Sequence, residues 1–318
     1  MKELEFIEII RNTLSKNSSI GDDCAYLKDL DIVVTQDSLV EDIHFTREFS
    51  SPYSIGYKAV IVNLSDIFAA GAIPKYLTIS LSLPKNTEND FIKEFYNAVE
   101  DLSKKYDFEV VGGDITGSNK IFVSACAIGI TKGRKISSRS NAKVGDYFIV
   151  TGNHGSSAAG LFLLKGNGKR EKGKDYFINT HLMPEICSDF SNEIAAKINR
   201  NYAMMDTSDG LADALFKIAQ ASNVTLAIDF DKIPYDKQIK KIANSAKIDY
   251  KDWILFGGED YQLVACLDKE NLNKIDKNLY KIIGKVIKKD NSNFVHINFG
   301  KNVQKLNDLE KSFNHFED

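Results

Sequence analysis

The sequence predicts an α/β protein (α+β in its segregated parts) built as two domains. Strand and helix periodicities alternate along the whole chain, and both halves open elements with clusters of glycine and aspartate. At 318 residues and 43% hydrophobic content, there is enough chain for two cores. The formal charge is −3 and no Lys/Arg run forms a basic stripe, which argues against a nucleic-acid partner. The lysine-rich stretches at 165–174 and 285–289 read as solvated surface. Cys24, Cys126, Cys187 and Cys266 are scattered without a CxxC pair, as expected of reduced thiols. Met1-Lys2-Glu3-Leu4-Glu5 lacks a signal-peptide apolar region, and no apolar run approaches the ~20 residues of a membrane span. A cytoplasmic protein with no membrane partner is expected.

Phe6, Ile7, Ile10 and Leu14 share one face at helical spacing, so a short amphipathic helix opens the chain and packs by that face. Gly21-Asp22-Asp23 then precedes a short strand. Adjacent carboxylates stay ionised cheaply only in water or beside a cation, so this segment reads as a solvated turn or a cation contact. Val33-Val34-Thr35 begins a β-branched strand that runs into Gln36, Asp37, Glu41, Asp42 and His44. A rigid element aims such groups and the following loop gives access to them, which makes this stretch the organising one.

Residues 52–71 read as a helix with Ile55, Ala59, Val62 and Ile67 inward and Gly71 as its stop. Asn63, Ser65 and Asp66 are poor interior helix residues, because their side chains compete for backbone groups. Together on an apolar helix they suit either metal ligation or helix–helix hydrogen bonding. Residues 76–83 alternate as a half-buried strand, and the second face, with Thr78, Ser80 and Ser82, suits packing against another sheet or subunit. A helix over 87–106, capped by Thr87 or Asn89, turns Phe91, Phe95, Ala98, Val99 and Leu102 inward. The strand 108–111 ends in Gly112-Gly113-Asp114, either a close approach to a ligand with a cation-holding Asp or a tight capped turn. A long strand over 121–131 completes this half.

Gly, Ser, Lys and Arg replace the apolar pattern over 132–143, so the domains are expected at 1–135 and 136–318. Arg139 in this connector offers a planar fork of donors suited to phosphate. The strand 147–151 enters Gly152-Asn153-His154-Gly155 ahead of a helix, an arrangement that can bind an anion but matches neither Walker A nor GxGxxG spacing. Asp206-Thr207-Ser208-Asp209-Gly210 leads into a helix over 211–222, and an N-cap accounts for only one of its polar side chains. Gly257-Gly258-Glu259-Asp260-Tyr261 precedes a strand over 262–267. Further strands are expected over 224–229, 281–286 and 293–297, with helices between.

Asp22, Asp23, Asp37, Asp66, Asp114, Asp206 and Asp209 are either unrelated turn and cap residues or members of one acidic site. If some converge, they need divalent cations, and an all-oxygen ligand set favours Mg²⁺ over zinc. Magnesium beside glycine turns points to phosphate chemistry.

In order, Gly21-Asp22-Asp23, Thr35-Gln36-Asp37-Ser38-Leu39-Val40-Glu41 with His44-Phe45, Asn63-Leu64-Ser65-Asp66, Gly112-Gly113-Asp114, Arg139-Ser140, Asp206-Thr207-Ser208-Asp209-Gly210-Leu211 and Gly257-Gly258-Glu259-Asp260-Tyr261 resemble the thiamine-monophosphate kinase family. The resemblance spans nearly the whole chain, from about residue 18 to Phe313-Asn314-His315-Phe316. It implies a two-domain, ATP-binding fold shared with aminoimidazole ribonucleotide synthetase: an N-terminal ATP/Mg-binding and dimerisation domain whose sheet forms a barrel across a homodimer, and a C-terminal α/β domain. The implied reaction is direct in-line transfer of the ATP γ-phosphoryl group to thiamine monophosphate, giving thiamine diphosphate.

The resemblance also implies roles. Several Mg²⁺ ions would be held by Asp23, Thr35, Gln36, Asp37, Asp66, Asp114, Asp206 and Asp209. ATP would meet Tyr96, Gly113, Asp114, Arg139 and Ser208, and thiamine monophosphate would meet His44, Glu259 and Phe313. Catalysis would rest on Asp37, Asp66, Asp114, Asp206 and Arg139. The residue inventory suits that chemistry. The acceptor phosphate has a second pKa of about 6 and needs no general base, and no Ser-His or Cys-His nucleophile stands out. Two polyanions need positioning and charge neutralisation instead, and a cationic thiazolium suits an acid or aromatic neighbour such as Glu259 or Phe313.

Three positions depart from the family pattern. Gln36 stands where Thr is usual and offers an amide oxygen, Asn141 replaces a Gly after Arg139-Ser140, and Glu185 follows Pro184 where Arg is expected. Selenide water dikinase carries a catalytic Cys or selenocysteine with a Lys near its start, and the hydrogenase-maturation dehydratase ends in Cys, whereas this chain ends Glu317-Asp318. The alternatives kept are an aminoimidazole ribonucleotide synthetase-like enzyme and a non-catalytic ATP/Mg-binding scaffold.

Overall fold

The computed structural model describes residues 2–16, 20–167, 174–290 and 295–306. The first half contains α1 (Lys2–Thr13), β1 (Ala25–Leu27), β2 (Ile32–Val40), α2 (Pro52–Ala69), β3 (Ile73–Leu83), α3 (Asn89–Tyr106), β4 (Glu109–Gly117) and β5 (Phe122–Ile130). The second half contains β6 (Tyr147–Val150), α4 (Ser156–Phe162), α5 (Asp175–Leu182), α6 (Ser188–Lys197), β7 (Ala203–Asp206), α7 (Leu211–Ser222), β8 (Val224–Asp229), α8 (Gln238–Ala246), α9 (Tyr250–Phe256), β9 (Leu263–Leu267), α10 (Lys269–Leu272), β10 (Lys281–Lys289), β11 (Val295–Phe299) and β12 (Asn302–Leu306).

The first sheet runs β1-β2-β5-β3-β4. Its β3–β4 pair is parallel, with α3 as the crossover, and the other pairs are antiparallel. Strand alternation decides what covers it. Val33, Leu39, Leu77, Ile79, Leu81, Val123, Ala125 and Ala127 are buried in one core with Ile55, Ile61, Leu64 and Phe95 of α2 and α3. The intervening Gln36, Ser38, Thr78, Ser80 and Ser124 occupy the other, open face.

The second sheet runs β12-β11-β8-β10-β6-β9-β7 and is mixed, its β8–β11 pair being parallel. Strands β6 and β9, and the edge strand β7, are covered on both faces, which is why they read as continuous apolar runs. Phe148, Val150, Met205 and Val264 pack with Leu215 and Ile218 of α7. Ile149, Met204, Leu263 and Ala265 pack with Phe190 and Ile194 of α6. Among the described residues no helix is long and apolar enough to cross a membrane.

Several local expectations are corrected. The opening helix forms, but Phe6, Ile10 and Leu14 stay 44%, 48% and 48% exposed, so its apolar stripe is not buried within the chain. Neither Thr87 nor Asn89 caps α3: the N-cap residue is Glu88, without a side-chain bond, and Thr87 Oγ1 donates to Pro84 O instead. Gly112-Gly113-Asp114 lies inside β4 rather than in a turn after it. The glycine there serves the sheet, because a Cβ on Gly113 would collide with the Ile79 carbonyl of β3. By contrast α2 ends as expected, with Gly71 at φ +81° just past its C-cap.

Candidate active site

Between the halves lies a cleft of about 720 Å³. It is lined by Asp23, Thr35, Gln36, Asp37, Asp66 and His44 from the first half and by Arg139, Ser208, Asp209 and Glu259 from the second. Asp23 and Asp66 of its lining and Asp206, buried just beneath them, each offer a carboxylate oxygen, all within 4.8 Å of one another. One comes from the segment before β1, one from α2 and one from the end of β7.

The polar residues of α2 hold this arrangement. Ser65 Oγ donates to Asp206 Oδ2 at 2.6 Å, Thr35 Oγ1 donates to Asp66 Oδ2 at 2.5 Å, and the Asp37 backbone N–H donates to Asn63 Oδ1 at 3.0 Å. Of the two uses expected for Asn63, Ser65 and Asp66, hydrogen bonding therefore accounts for Asn63 and Ser65. Those bonds run to β2 and β7 rather than to another helix.

The acids repel one another. Burial first, then the neighbouring carboxylates, pushes Asp37 up to about 6 and Asp66 well above the usual carboxylate range. Asp23 rises to about 6 by burial, opposed by Arg139 and reinforced by Asp206. Asp206 is raised by burial too, with hydrogen bonds from Ser65 and Ser208 opposing. Oxygen donors at this spacing, buried and short of positive charge, fit a hard divalent cation.

The cations present sit at the rim of the cluster. Arg139 Nη2 donates to Asp23 Oδ1 at 2.5 Å, its backbone N–H donates to Asp22 Oδ1 at 2.8 Å, and its Nε–H is buried without a partner among the described residues. Lys217 Nζ lies 2.9 Å from Asp209 Oδ2 and 2.8 Å from Asp213 Oδ2. Across the cleft, His44 Nδ1 accepts from Val40 N–H at 3.1 Å, which puts the proton of the neutral ring on Nε2. Glu259 adopts a left-handed φ of 63°, its N–H donating to Ser208 O at 2.6 Å. Asp260 ties the same loop to the start of α4 by accepting from the Gly155 and Ser157 N–H groups.

Some expected members are not brought here within one chain. Asp114 is exposed on β4, in register with Ser80 on the open face. It stands three strand spacings, about 14 Å, from β2. Gly113 shares that edge strand, and Tyr96 lies on α3 with its ring edge-on to Phe95 at 5.4 Å. Gln36 borders the cleft, but strand alternation sends its amide to the open face, where it donates to Ser124 Oγ at 3.2 Å. Phe313 lies outside the described residues. Sequence reasoning missed Lys58, His181 and Lys217. A lysine inside the apolar run of α2 was a signal for the first, and the helical spacing of Asp209, Asp213 and Lys217 for the last.

Residues 21–131 match the AIR synthase related protein N-terminal domain, and residues 143–297 match the corresponding C-terminal domain. Thiamine-monophosphate kinase of Bacillus subtilis is 36% identical over 288 residues, covering 85% of each chain. The chain belongs to the thiamine-monophosphate kinase family. Among solved structures, it is similar to AaThiL complexed with AMPPCP and TMP, with a TM-score of 0.84, 33% identity and coverage of 96% of this chain and 98% of that one. Thiamine monophosphate kinase from Aquifex aeolicus gives a TM-score of 0.81 at 34% identity, over 92% and 94%. In this member of the family, the two-domain AIR synthase-like fold sets its acid cluster at the junction of the two sheets.

Proposed function

We propose that this protein transfers the γ-phosphoryl group of ATP to thiamine monophosphate, forming thiamine diphosphate and ADP. The observation that carries the reading is the meeting of Asp23, Asp66 and Asp206, from three separate elements, within 4.8 Å. In the reaction an oxygen of the acceptor phosphate forms a bond to the γ-phosphorus, and the bond from that phosphorus to the β,γ-bridging oxygen breaks, ADP leaving with the electron pair. The acceptor is largely dianionic above its second pKa of about 6, so no side chain has to take a proton. What the chain contributes is position and charge.

Asp23, Asp37, Asp66, Asp206 and Asp209, with Thr35, would hold the magnesium. The ions would supply neutralisation of the phosphates and of the charge that develops between them. Arg139 lines the cleft beside Asp23, and its planar guanidinium is suited to a phosphate oxygen there. Ser208 is fixed beside it, its Oγ donating to Asp206 Oδ1 at 2.9 Å. Glu259 and His44 line the opposite wall, where the cationic end of the acceptor would lie. The test is incubation with MgATP and thiamine monophosphate while following thiamine diphosphate; ATP binding with no acceptor-dependent ADP release would favour a scaffold.

We further propose a homodimer in which the open faces of two N-terminal sheets close into a barrel. Supporting this, Phe122 of β5, in register with Ser82 on the open face, is 37% exposed on an otherwise small-residue surface, and β4 is an exposed edge strand. The nucleotide contacts implied for Gly113 and Asp114 then need a second copy, since one chain keeps them away from Asp37. We place the domains at 1–135 and 136–318, because among the described residues the connector holds only a 3-10 turn, Arg139–Asn141. The free cysteines accord with a cytoplasmic setting.

A further inference from the structure

Beneath the wall that faces the acid cluster lies a lysine to which the reaction assigns nothing. Lys58 sits on α2 in the first half, yet its ammonium reaches the second half, 3.1 Å from Glu259 Oε1 and 3.2 Å from Oε2. It is 3% exposed, so it meets no ligand itself. Glu259 is different: its side chain is 26% exposed and lines the cleft.

The carboxylate is clamped from several sides. Its backbone holds a left-handed φ of 63°, a strained conformation for a non-glycine residue that persists only where the surroundings over-determine it. His181 Nδ1 lies 3.3 Å from Oε2 and 2.9 Å from Ser157 Oγ. Burial first, then Lys58, pushes His181 down to about 3, so its ring is a neutral hydrogen-bonding group. Burial pushes Glu259 up, but the Lys58 ammonium beside it outweighs burial and holds the carboxylate below its ordinary range. The full counter-charge comes from behind, and the oxygens stay ionised in front.

We propose that Lys58 is a positioning residue for acceptor recognition: from behind the wall it fixes the Glu259 carboxylate so that its charge faces the cationic ring of the substrate. The inference rests on thiamine monophosphate being the acceptor. A buried lysine that only stabilised the fold would not need a partner that opens onto the cleft. Breaking the pair from the lysine side leaves a buried carboxylate without its partner, and Glu259 then protonates or turns away.

Steady-state kinetics of the full-length protein test this. Lys58→Met should raise KM for thiamine monophosphate by about tenfold to a hundredfold, the range for losing a charge-assisted contact, and leave KM for ATP within about twofold. Lys58→Arg, which keeps the charge, should recover most of the loss. If Lys58→Met is too unstable to assay, the double variant Lys58→Met/Glu259→Gln removes both charges. It should match Glu259→Gln alone, because Lys58 acts only through Glu259. Unchanged KM for thiamine monophosphate in Lys58→Met, equal rises for both substrates, or a double variant clearly worse than Glu259→Gln would each overturn the inference. A wild-type protein that makes no thiamine diphosphate would instead overturn the acceptor reading on which it stands.

Discussion

Ser65 Oγ donates to Asp206 Oδ2 at 2.6 Å, joining α2 to the end of β7 across 141 residues of sequence. Both groups are buried, at 0% and 1% exposure, so the bond has no water to replace it. Ser65→Ala should cost about 1–3 kcal/mol of stability by leaving a buried acceptor unpaired, and weaken magnesium binding by about tenfold or more through loss of the orienting bond. Thermal melts and magnesium titration by calorimetry measure both; unchanged affinity would mean Asp206 is held without Ser65.

Asp37→Asn removes one charge from the cluster and leaves the backbone bond to Asn63 in place. Turnover should fall by at least about a hundredfold. The melting temperature in magnesium-free buffer should be no lower than wild type, since burial and then Asp209 and Asp23 oppose ionisation of Asp37. Retained activity would remove Asp37 from the site.

The cluster also sets a pH dependence. Asp23 and Asp37 titrate at about 6 in the cation-free protein, above the ordinary 3.8. A native pKa above the unfolded value means that the folded state binds more protons in that window, so these groups cost stability as pH rises through it. Magnesium needs them ionised, so its stabilising effect grows over the same interval. The magnesium-induced rise in Tm should be larger at about pH 7.5 than at about pH 5; equal rises at both would contradict the assignment.

If Asp114 serves the partner's cleft, two inactive variants should rescue each other. Mixing Asp37→Asn with Asp114→Asn and allowing subunits to exchange yields dimers with one site intact in both respects. Activity should appear in the mixture and in neither variant alone. No rescue after proven exchange would place Asp114 with its own chain's acids or outside the site.

Gly113→Ala tests why that glycine is present. Its added Cβ meets the Ile79 carbonyl, so the variant should lose about 1–3 kcal/mol in the absence of any nucleotide, as for other forced overpacking. Wild-type stability with weakened ATP binding would instead assign Gly113 to the ligand.

Periodicity made the strands and helices legible, since the buried faces of β2, β3 and β5 follow a simple alternation. The acids were legible too, because Asp23, Asp66 and Asp206 each stand beside glycine or in an apolar run where a structural reason was missing. What a linear pattern does not carry is the face on which a residue emerges relative to a distant element. Gln36 is adjacent to Asp37 yet turns to the open side of the sheet, and Asp114 lies beyond two intervening strands. Lys58 and His181 were missed for the same reason, their partner being supplied by a loop far away in sequence.

Helix α2 carries Lys58, Asn63, Ser65 and Asp66, and through them it grips Glu259, β2 and Asp206 at once. A hinge placed between the halves would therefore shear the acid site and the wall facing it in a single motion. One helix thus sets the spacing between the two walls of the cleft, and a change in its tilt would be felt on both at the same time.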